Sequence, residues 1–339
     1  MEIKDRNIIK PFVNKCQFYL KSNDSLNAIE RLEKLKALYH SFIIENSCDA
    51  PIAEIDRLWD ILTECFSLYE KGLSYKAIEL LYTEYFLKYL EQLSYKLLSI
   101  GQFYYRMRYS ETGTLFSNEE MFHVPSSQRH IIGNSRFSIS GMPMLYLGTS
   151  SYICWEELGC PVFDNCNLVQ YRLKRDCDVI LVEPIWQVFD DSRIMCYPLS
   201  YGCFLEVNHK KDPYKAEYVI PQLLMQCIFR YNQEHPDSKL SGVKYLSSKA
   251  MGDNSMFPFE PYAYYDVALC ASEPFTNGYS SYLQDLFHMS DPITYARLKL
   301  YKYNFFEELV ARQSLIGSYS NSIFHLMEMA CLRNPLPKS

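Results

Sequence analysis

The hydrophobic period of this chain changes at Gly101, and that change constrains the fold more than any other feature. Before it, apolar residues recur every three or four positions. Leu26, Ile29, Leu32, Leu35 and Leu38 form one series; Ile55, Leu58, Ile61, Leu62 and Cys65 form a second after Pro51. A third, Ile78, Leu81, Tyr82, Tyr85, Leu90 and Leu93, lies within Ser74–Leu98, with Gly72 and Gly101 punctuating its ends. This is the spacing of one face of a helix. After Gly101 the stretch FYYRMRY (Phe103–Tyr109) alternates like a strand, and Asn167–Leu173, Asp178–Glu183, Ser241–Ser248 and Tyr264–Ala271 are strand-like as well. Helices are expected at 222–232, 280–287, 295–313 and 322–332, with Trp186–Gly202 irregular and Pro335 and Pro337 marking a frayed end. The expected class is α+β: an all-helical N-terminal bundle, then mixed sheets with helices. In linear terms the pieces are a helical domain at 1–98, a strand-rich domain at 99–275 and a helical extension at 276–339.

Composition excludes several partner classes. Of 339 residues, 48% are hydrophobic and 22% charged, which is enough apolar material for a packed core. The net charge is −6 and no basic run occurs, so nucleic acid is not an expected partner. The opening MEIKDRNIIKPF has no apolar targeting core, and no apolar run reaches membrane-spanning length, so a cytoplasmic protein without membrane contact is expected. Twelve cysteines stand singly, none in CxxC, so reduced thiols are expected and no metal site. Many of the 29 tyrosines are expected as half-buried rings with wet hydroxyls. There is no GxGxxG, P-loop, GxSxG or HExxH sequence.

One stretch concentrates chemistry: NSRFSISGMPMLYLGTSSYICWEELG, Asn134–Gly159. Arg136–Ile139 alternates as a strand, Ser140-Gly141-Met142-Pro143 is a turn signal, and Met144–Leu147 is a second strand. In such a hairpin Arg136 lies opposite Tyr146 or one step off it. Thr149, Ser150 or Ser151 caps a short helix that Gly159 ends, with Glu157 in its last turn.

The stretch resembles the RES-domain family, whose pattern RF-x-x-x-G-x-P-x-LY-[LC]-[AG]-x-S is met here by Arg136, Gly141, Pro143, Leu145, Tyr146 and Ser150. Glu157 matches the family's glutamate, with Glu156 as runner-up. Tyr-Val-Ile-Pro-Gln at 218–222 and Gly242-Val243-Lys244-Tyr245-Leu246-Ser247 resemble the downstream segments, the second carrying the serine. Tyr105-Arg106 resembles the family's first arginine. The likeness covers about residues 100 to 275, and the N-terminal helices resemble HEPN-like extensions, without an evident Arg-x4–6-His pattern.

The resemblance implies an ADP-ribosyltransferase-like fold and NAD+ degradation, by hydrolysis or phosphorolysis of the nicotinamide–ribose bond. NAD+ is then a substrate and inorganic phosphate a candidate co-substrate. The family's toxin role implies an antitoxin protein as partner. Glu157 would stabilise the oxocarbenium-like transition state. Arg136, supported by Arg106, would grip the diphosphate, and the Tyr146 ring would face the cationic nicotinamide. Ser247 would orient Glu157 or the ribose. Two other readings stand beside this one: ADP-ribosyl transfer to a macromolecular acceptor, and a non-catalytic binding module.

Overall fold

A computed structural model describes residues 6–22, 25–46, 50–186, 189–209, 211–251, 261–300 and 319–333. The α+β reading holds: helices come first, then a sheet with helices about it. By contacts the chain forms two compact units. The first comprises residues 1–95, 133–140 and 178–243, the second 96–132, 141–177 and 244–339.

The first unit opens with α1 (Arg6–Leu20), α2 (Ala28–Asn46) and α3 (Ile52–Glu70). The second series, Ile55, Leu58, Ile61, Leu62 and Cys65, is buried throughout; of the first, Leu32 and Leu35 are buried and Leu26, Ile29 and Leu38 half-buried. The third expected helix, Ser74–Leu98, is interrupted. α4 (Ser74–Leu81) runs into a π turn at Tyr82–Phe86, where the Leu87 N–H reaches Tyr82 O at 3.0 Å. One turn follows at α5 (Leu90–Leu93), and β1 (Ser94–Leu98) is extended. A π turn inserts a residue into the helical register and re-aims the face that follows, which apolar periodicity alone does not register.

Tyrosines supply a second correction. Tyr39 and Tyr85 are wholly buried, and their hydroxyls donate to Ile194 O (2.8 Å) and Met195 O (2.6 Å) rather than to water. A buried hydroxyl needs a partner, and backbone carbonyls supply it. Burial accordingly pushes both phenols well above their ordinary range. Arg31 is also wholly buried in this unit. Its guanidinium donates to Tyr19 O, Leu20 O, Glu206 O and Asn208 Oδ1, and meets Glu217 Oε1 at 3.4 Å.

The second unit is built on strands. β2 (Phe103–Tyr109) is central, between β3 (Met144–Gly148) and β4 (Cys166–Leu173). β5 (Cys177–Val182) follows β4 in sequence. In the first unit come α7 (Tyr197–Phe204) and α8 (Val219–Glu234), then β6 (Leu240–Leu246), which belongs to that unit as far as Val243 and is adjacent to β5. α7 lies in the segment expected to be irregular. All its residues are buried, so it has no polar face for a pattern to reveal. β7 (Tyr265–Cys270) pairs with β3, after which come a two-stranded ribbon of β8 (Phe275–Thr276) and β9 (Tyr279–Ser280), and α9 (Ser281–Leu286). β10 (Phe287–Met289) and β11 (Ile293–Thr294) both pair with β4. The order β7-β3-β2-β4-β10 is antiparallel throughout.

Side chains alternate across this sheet. One face carries Tyr105, Met107 and Leu168 in a core cluster with Cys154, Met327 and Cys331. Cys154 belongs to α6 (Ser151–Glu157), Met327 and Cys331 to α11 (Ile323–Arg333), so these two helices cover that face. α10 (Tyr295–Leu300) follows β11; the rest of the expected helix 295–313, from residue 301, lies outside the described residues, as do Pro335 and Pro337.

Candidate active site

The junction between β3 and α6 fixes the site. Gly148 ends β3 opposite Asp266 of β7 and beside Tyr105 of β2. A Cβ on Gly148 would lie 2.6 Å from Ile153 Cγ2, 2.7 Å from Cys154 Sγ and 2.9 Å from Ser150 O. Only glycine therefore lets α6 lie this close to the sheet. Ser150 is the cap: its Oγ accepts from the Ile153 N–H (3.2 Å) and donates to Ala263 O (2.6 Å). The Ser151 N–H donates to Glu328 Oε1 of α11 at 2.7 Å, and Tyr319 Oη donates to the same oxygen. At the other end, Gly159 and Cys160 take φ of +81° and +57°, and the Cys160 N–H returns to Trp155 O at 3.1 Å.

Glu157 is the last residue of α6 and is exposed. Ser247 Oγ donates to Glu157 Oε1. That hydroxyl is itself fixed: it accepts from the Lys249 N–H at 3.2 Å, and the Ser247 N–H donates to Tyr264 O at 2.9 Å. Ser247 is wholly buried, so the contact is made from inside the fold. Asp266 is the third member of the group. It is 5% exposed, its Oδ2 is buried with no hydrogen-bond partner, and Glu157 and Ser247 are among the groups that act on it. Burial first, and the Glu157 charge second, hold Asp266 well above the usual carboxylate range. The adjacent glutamate is engaged elsewhere: Glu156 accepts from Tyr152 Oη at 2.7 Å and Cys160 Sγ at 3.5 Å. Of the two glutamates, Glu157 is the one that meets Ser247.

Tyr146 pairs with Ala268, and Gly148 with Asp266, so Tyr146 and Asp266 share the sheet face that α6 covers. They are diagonal neighbours, a relation that places residues roughly 7–8 Å apart. Arg106, between Tyr105 and Met107, projects from the opposite face. There it is half-buried near Tyr171, and its Nη1 donates to Phe122 O at 2.7 Å. Arg136 belongs to the first unit. The hairpin expected for it does not form: residues 136–137 are a turn, and β3 pairs with β2 and β7 instead. Local side-chain bonds explain this. Ser138 Oγ accepts from the Ser135 N–H (2.9 Å), and Arg136 Nη1 donates to Cys203 O and Leu205 O (2.7 and 2.8 Å), offering the backbone an alternative to a ladder. The guanidinium also lies 5.3 Å from the Tyr218 ring centroid.

His123, beside the motif stretch, is a fully partnered neutral ring. Its Nδ1–H donates to Val124 O (2.8 Å), and its Nε2 accepts from the Ser280 N–H (2.9 Å). Burial holds it below its ordinary pKa. A cavity of about 260 Å³ against β10 is lined by Glu119, Phe122, Tyr279, Leu283, Phe287 and His288 among others, and none of the motif residues reaches it. Among the described residues no group of His, Cys, Asp and Glu is arranged to hold a metal, and no disulfide joins the described cysteines, which are buried except Cys160. No helix among them is long and apolar enough to cross a membrane. Asp266 is the site residue that the sequence reading missed. Its signal was present: a single acid heading the apolar run Val267-Ala268-Leu269-Cys270-Ala271.

Comparison with known proteins gives one curated relative. The chain is 32% identical over 219 residues to a Bacillus subtilis (strain 168) protein named "Putative toxin YopC"; the match takes in 59% of this chain and 48% of the relative. The chain thus spans about half the length of that relative. No family model and no solved structure matches the chain.

Proposed function

We propose that this chain is a toxin that degrades NAD+ by cleaving its nicotinamide–ribose bond. The observation that carries the reading is the hydrogen bond from buried Ser247 to the exposed helix-end carboxylate Glu157, on an α6 that covers the sheet face carrying Tyr146. The RES-like motif supports the substrate, and the relative named as a toxin supports the role.

The chemistry follows from charge. The nicotinamide of NAD+ is cationic, and a tyrosine face attracts it by roughly 0.5–2 kcal/mol. As the glycosidic bond breaks, its electron pair passes to the ring nitrogen and nicotinamide leaves neutral. Positive charge moves onto the ribose as an oxocarbenium-like state. Glu157 gains attraction as that charge grows, which lowers the barrier rather than merely tightening binding. Water then bonds through its oxygen to the ribose carbon and gives up a proton to solvent, or phosphate bonds there through an anionic oxygen with no proton to lose. The exposed end of α6 leaves Glu157 open to such a ligand, while Ser247 fixes the carboxylate from behind.

The test is NAD+ consumption by purified chain, with and without phosphate. Free nicotinamide with ADP-ribose means hydrolysis; nicotinamide with a phosphorylated ADP-ribose means phosphorolysis. Label transferred to a macromolecule would replace this reading with ADP-ribosyl transfer. An antitoxin partner belongs to the same proposal: co-purification with a protein that suppresses the turnover is the expected outcome.

A further inference from the structure

α6 holds Glu157 at its C-terminal end, and its other end is fixed from far along the chain. α11 begins at Ile323, well past the RES-like stretch, which stops at about residue 275. Two of its residues hold the first turn of α6. The Glu328 carboxyl group, 5% exposed, accepts from the Ser151 N–H on Oε1 at 2.7 Å. That donor has no acceptor inside α6, as for the first N–H groups of any helix. Phe324 O accepts from Ser151 Oγ at 3.1 Å, and the Phe324 ring centroid lies 5.1 Å from that of Tyr152 and 5.6 Å from that of Trp155. Tyr319 Oη donates to the same Glu328 oxygen and lies 3.4 Å from Ser151 Oγ, so the carboxyl group is itself held in place. Met327 and Cys331 share one core cluster with Cys154 of α6. Ser247, the partner of Glu157, is anchored separately, on Tyr264 O and the Lys249 N–H. α6 is seven residues long, about 10 Å, so a displacement at Ser151 is carried to Glu157.

We propose that Glu328 is a positioning residue for Glu157, and that α11, a helix outside the RES-like part of the chain, completes the active site by fixing α6. Its catalytic meaning rests on the NAD+ reading. Gly148 and Ser150 hold α6 against the sheet, by close approach and by the bond to Ala263 O. Neither reaches the Ser151 N–H; Glu328 does, and it ties the helix to a segment 177 residues away. Removing the carboxyl group frees the first turn of α6 and leaves the Ser247 hydroxyl where it is, so the Glu157–Ser247 distance becomes variable. Glu157 then meets the reacting ribose in many positions, few of which stabilise the developing charge. Contacts that hold ground-state NAD+ elsewhere are spared, so kcat falls and KM does not.

Two measurements on the full chain decide it, comparing wild type, Glu328→Ala and Glu328→Gln, the last of which keeps an acceptor oxygen. The first needs no turnover. The carboxyl 13C signal of Glu157, assigned by its loss in Glu157→Gln, is expected to move in Glu328→Ala and to return in Glu328→Gln. Amide exchange across α6 is expected to quicken about tenfold in Glu328→Ala, the factor for one lost hydrogen bond, while exchange across β3 stays as in wild type. The second is NAD+ turnover by folded chain: kcat about tenfold lower in Glu328→Ala, KM within about twofold of wild type, and kcat restored in Glu328→Gln. If Glu328→Ala does not fold, Glu328→Asp, which draws the oxygen back by one methylene, replaces it in every comparison. A Glu157 signal and an α6 exchange rate unmoved by loss of the carboxyl group overturn the proposal. So does exchange that rises equally in α6 and β3, or a kcat that stays at the wild-type value in all three chains. Wild type that leaves NAD+ intact while the Glu157 signal moves and α6 alone opens sinks the NAD+ reading and keeps Glu328 as the residue that positions Glu157.

Discussion

Gly148→Ala is the substitution whose effect the geometry sets most tightly. The added methyl would meet Ile153 Cγ2 at 2.6 Å, Cys154 Sγ at 2.7 Å and Ser150 O at 2.9 Å. The first two are side-chain atoms that can shift; the third is the backbone carbonyl of the residue that caps α6. Relief therefore requires α6 to move off the sheet, against the bonds from Ser150 to Ala263 and from Ser151 to Glu328. Overpacking of a filled site costs about 1–3 kcal/mol, and the immovable carbonyl puts this one near the upper end. With a urea slope on the order of 2–3 kcal/mol/M, the midpoint falls by roughly 1 M. Because α6 carries Glu157, the proposed NAD+ turnover is expected to fall along with stability. Gly133→Ala is the control: nothing lies within 4 Å of its Cβ position, and a change within about 0.5 kcal/mol is expected. Equal urea midpoints for the two variants would refute the close packing of α6 on β3.

Four further outcomes are expected. Arg31→Met strips the guanidinium from three backbone carbonyls and leaves the buried Glu217 carboxylate without its ion pair, costing about 3–5 kcal/mol by urea unfolding. Glu328→Ala leaves the Ser151 N–H and the Tyr319 hydroxyl without their acceptor and costs about 1–3 kcal/mol, whereas Glu328→Gln, which keeps an acceptor oxygen, costs less. Arg136→Ala removes the donor to Cys203 O and Leu205 O and costs about 1.5–3 kcal/mol in thermal unfolding. His123 has a folded-state pKa below its unfolded value of about 6.5, so stability is intact above that pH and is lost as pH falls towards the folded value, by up to about 1.4 kcal/mol per unit. A stability curve measured between pH 7 and pH 5 checks this, and His123→Gln flattens it.

How far the sequence could be read depended on what each segment asks of its neighbours. β2 and β4 were legible from their aromatic and β-branched content, although β4 is buried at every position but Arg172, and α8 from its apolar run after Pro221. α7 was not, because a helix buried on all sides has no pattern of its own. The strand expected at Arg136–Ile139 failed for another reason: Ser135, Arg136 and Ser138 spend their hydrogen bonds locally and on α7 carbonyls. Within the site, Glu157 and Ser247 are 90 residues apart and meet directly. Asp266 escaped notice because its importance lies in its cross-strand partner, Gly148, and no single segment encodes that register.

Nicotinamide release from NAD+ by three purified, folded chains tests the central claim most directly: wild type, Glu157→Gln and Glu156→Gln. Wild type and Glu156→Gln are expected to release nicotinamide, with Glu157→Gln slower by a factor on the order of a hundred or more, the usual loss when one transition-state electrostatic partner is removed. Release by Glu157→Gln at the wild-type rate, or NAD+ left whole by the wild-type chain, would contradict the account.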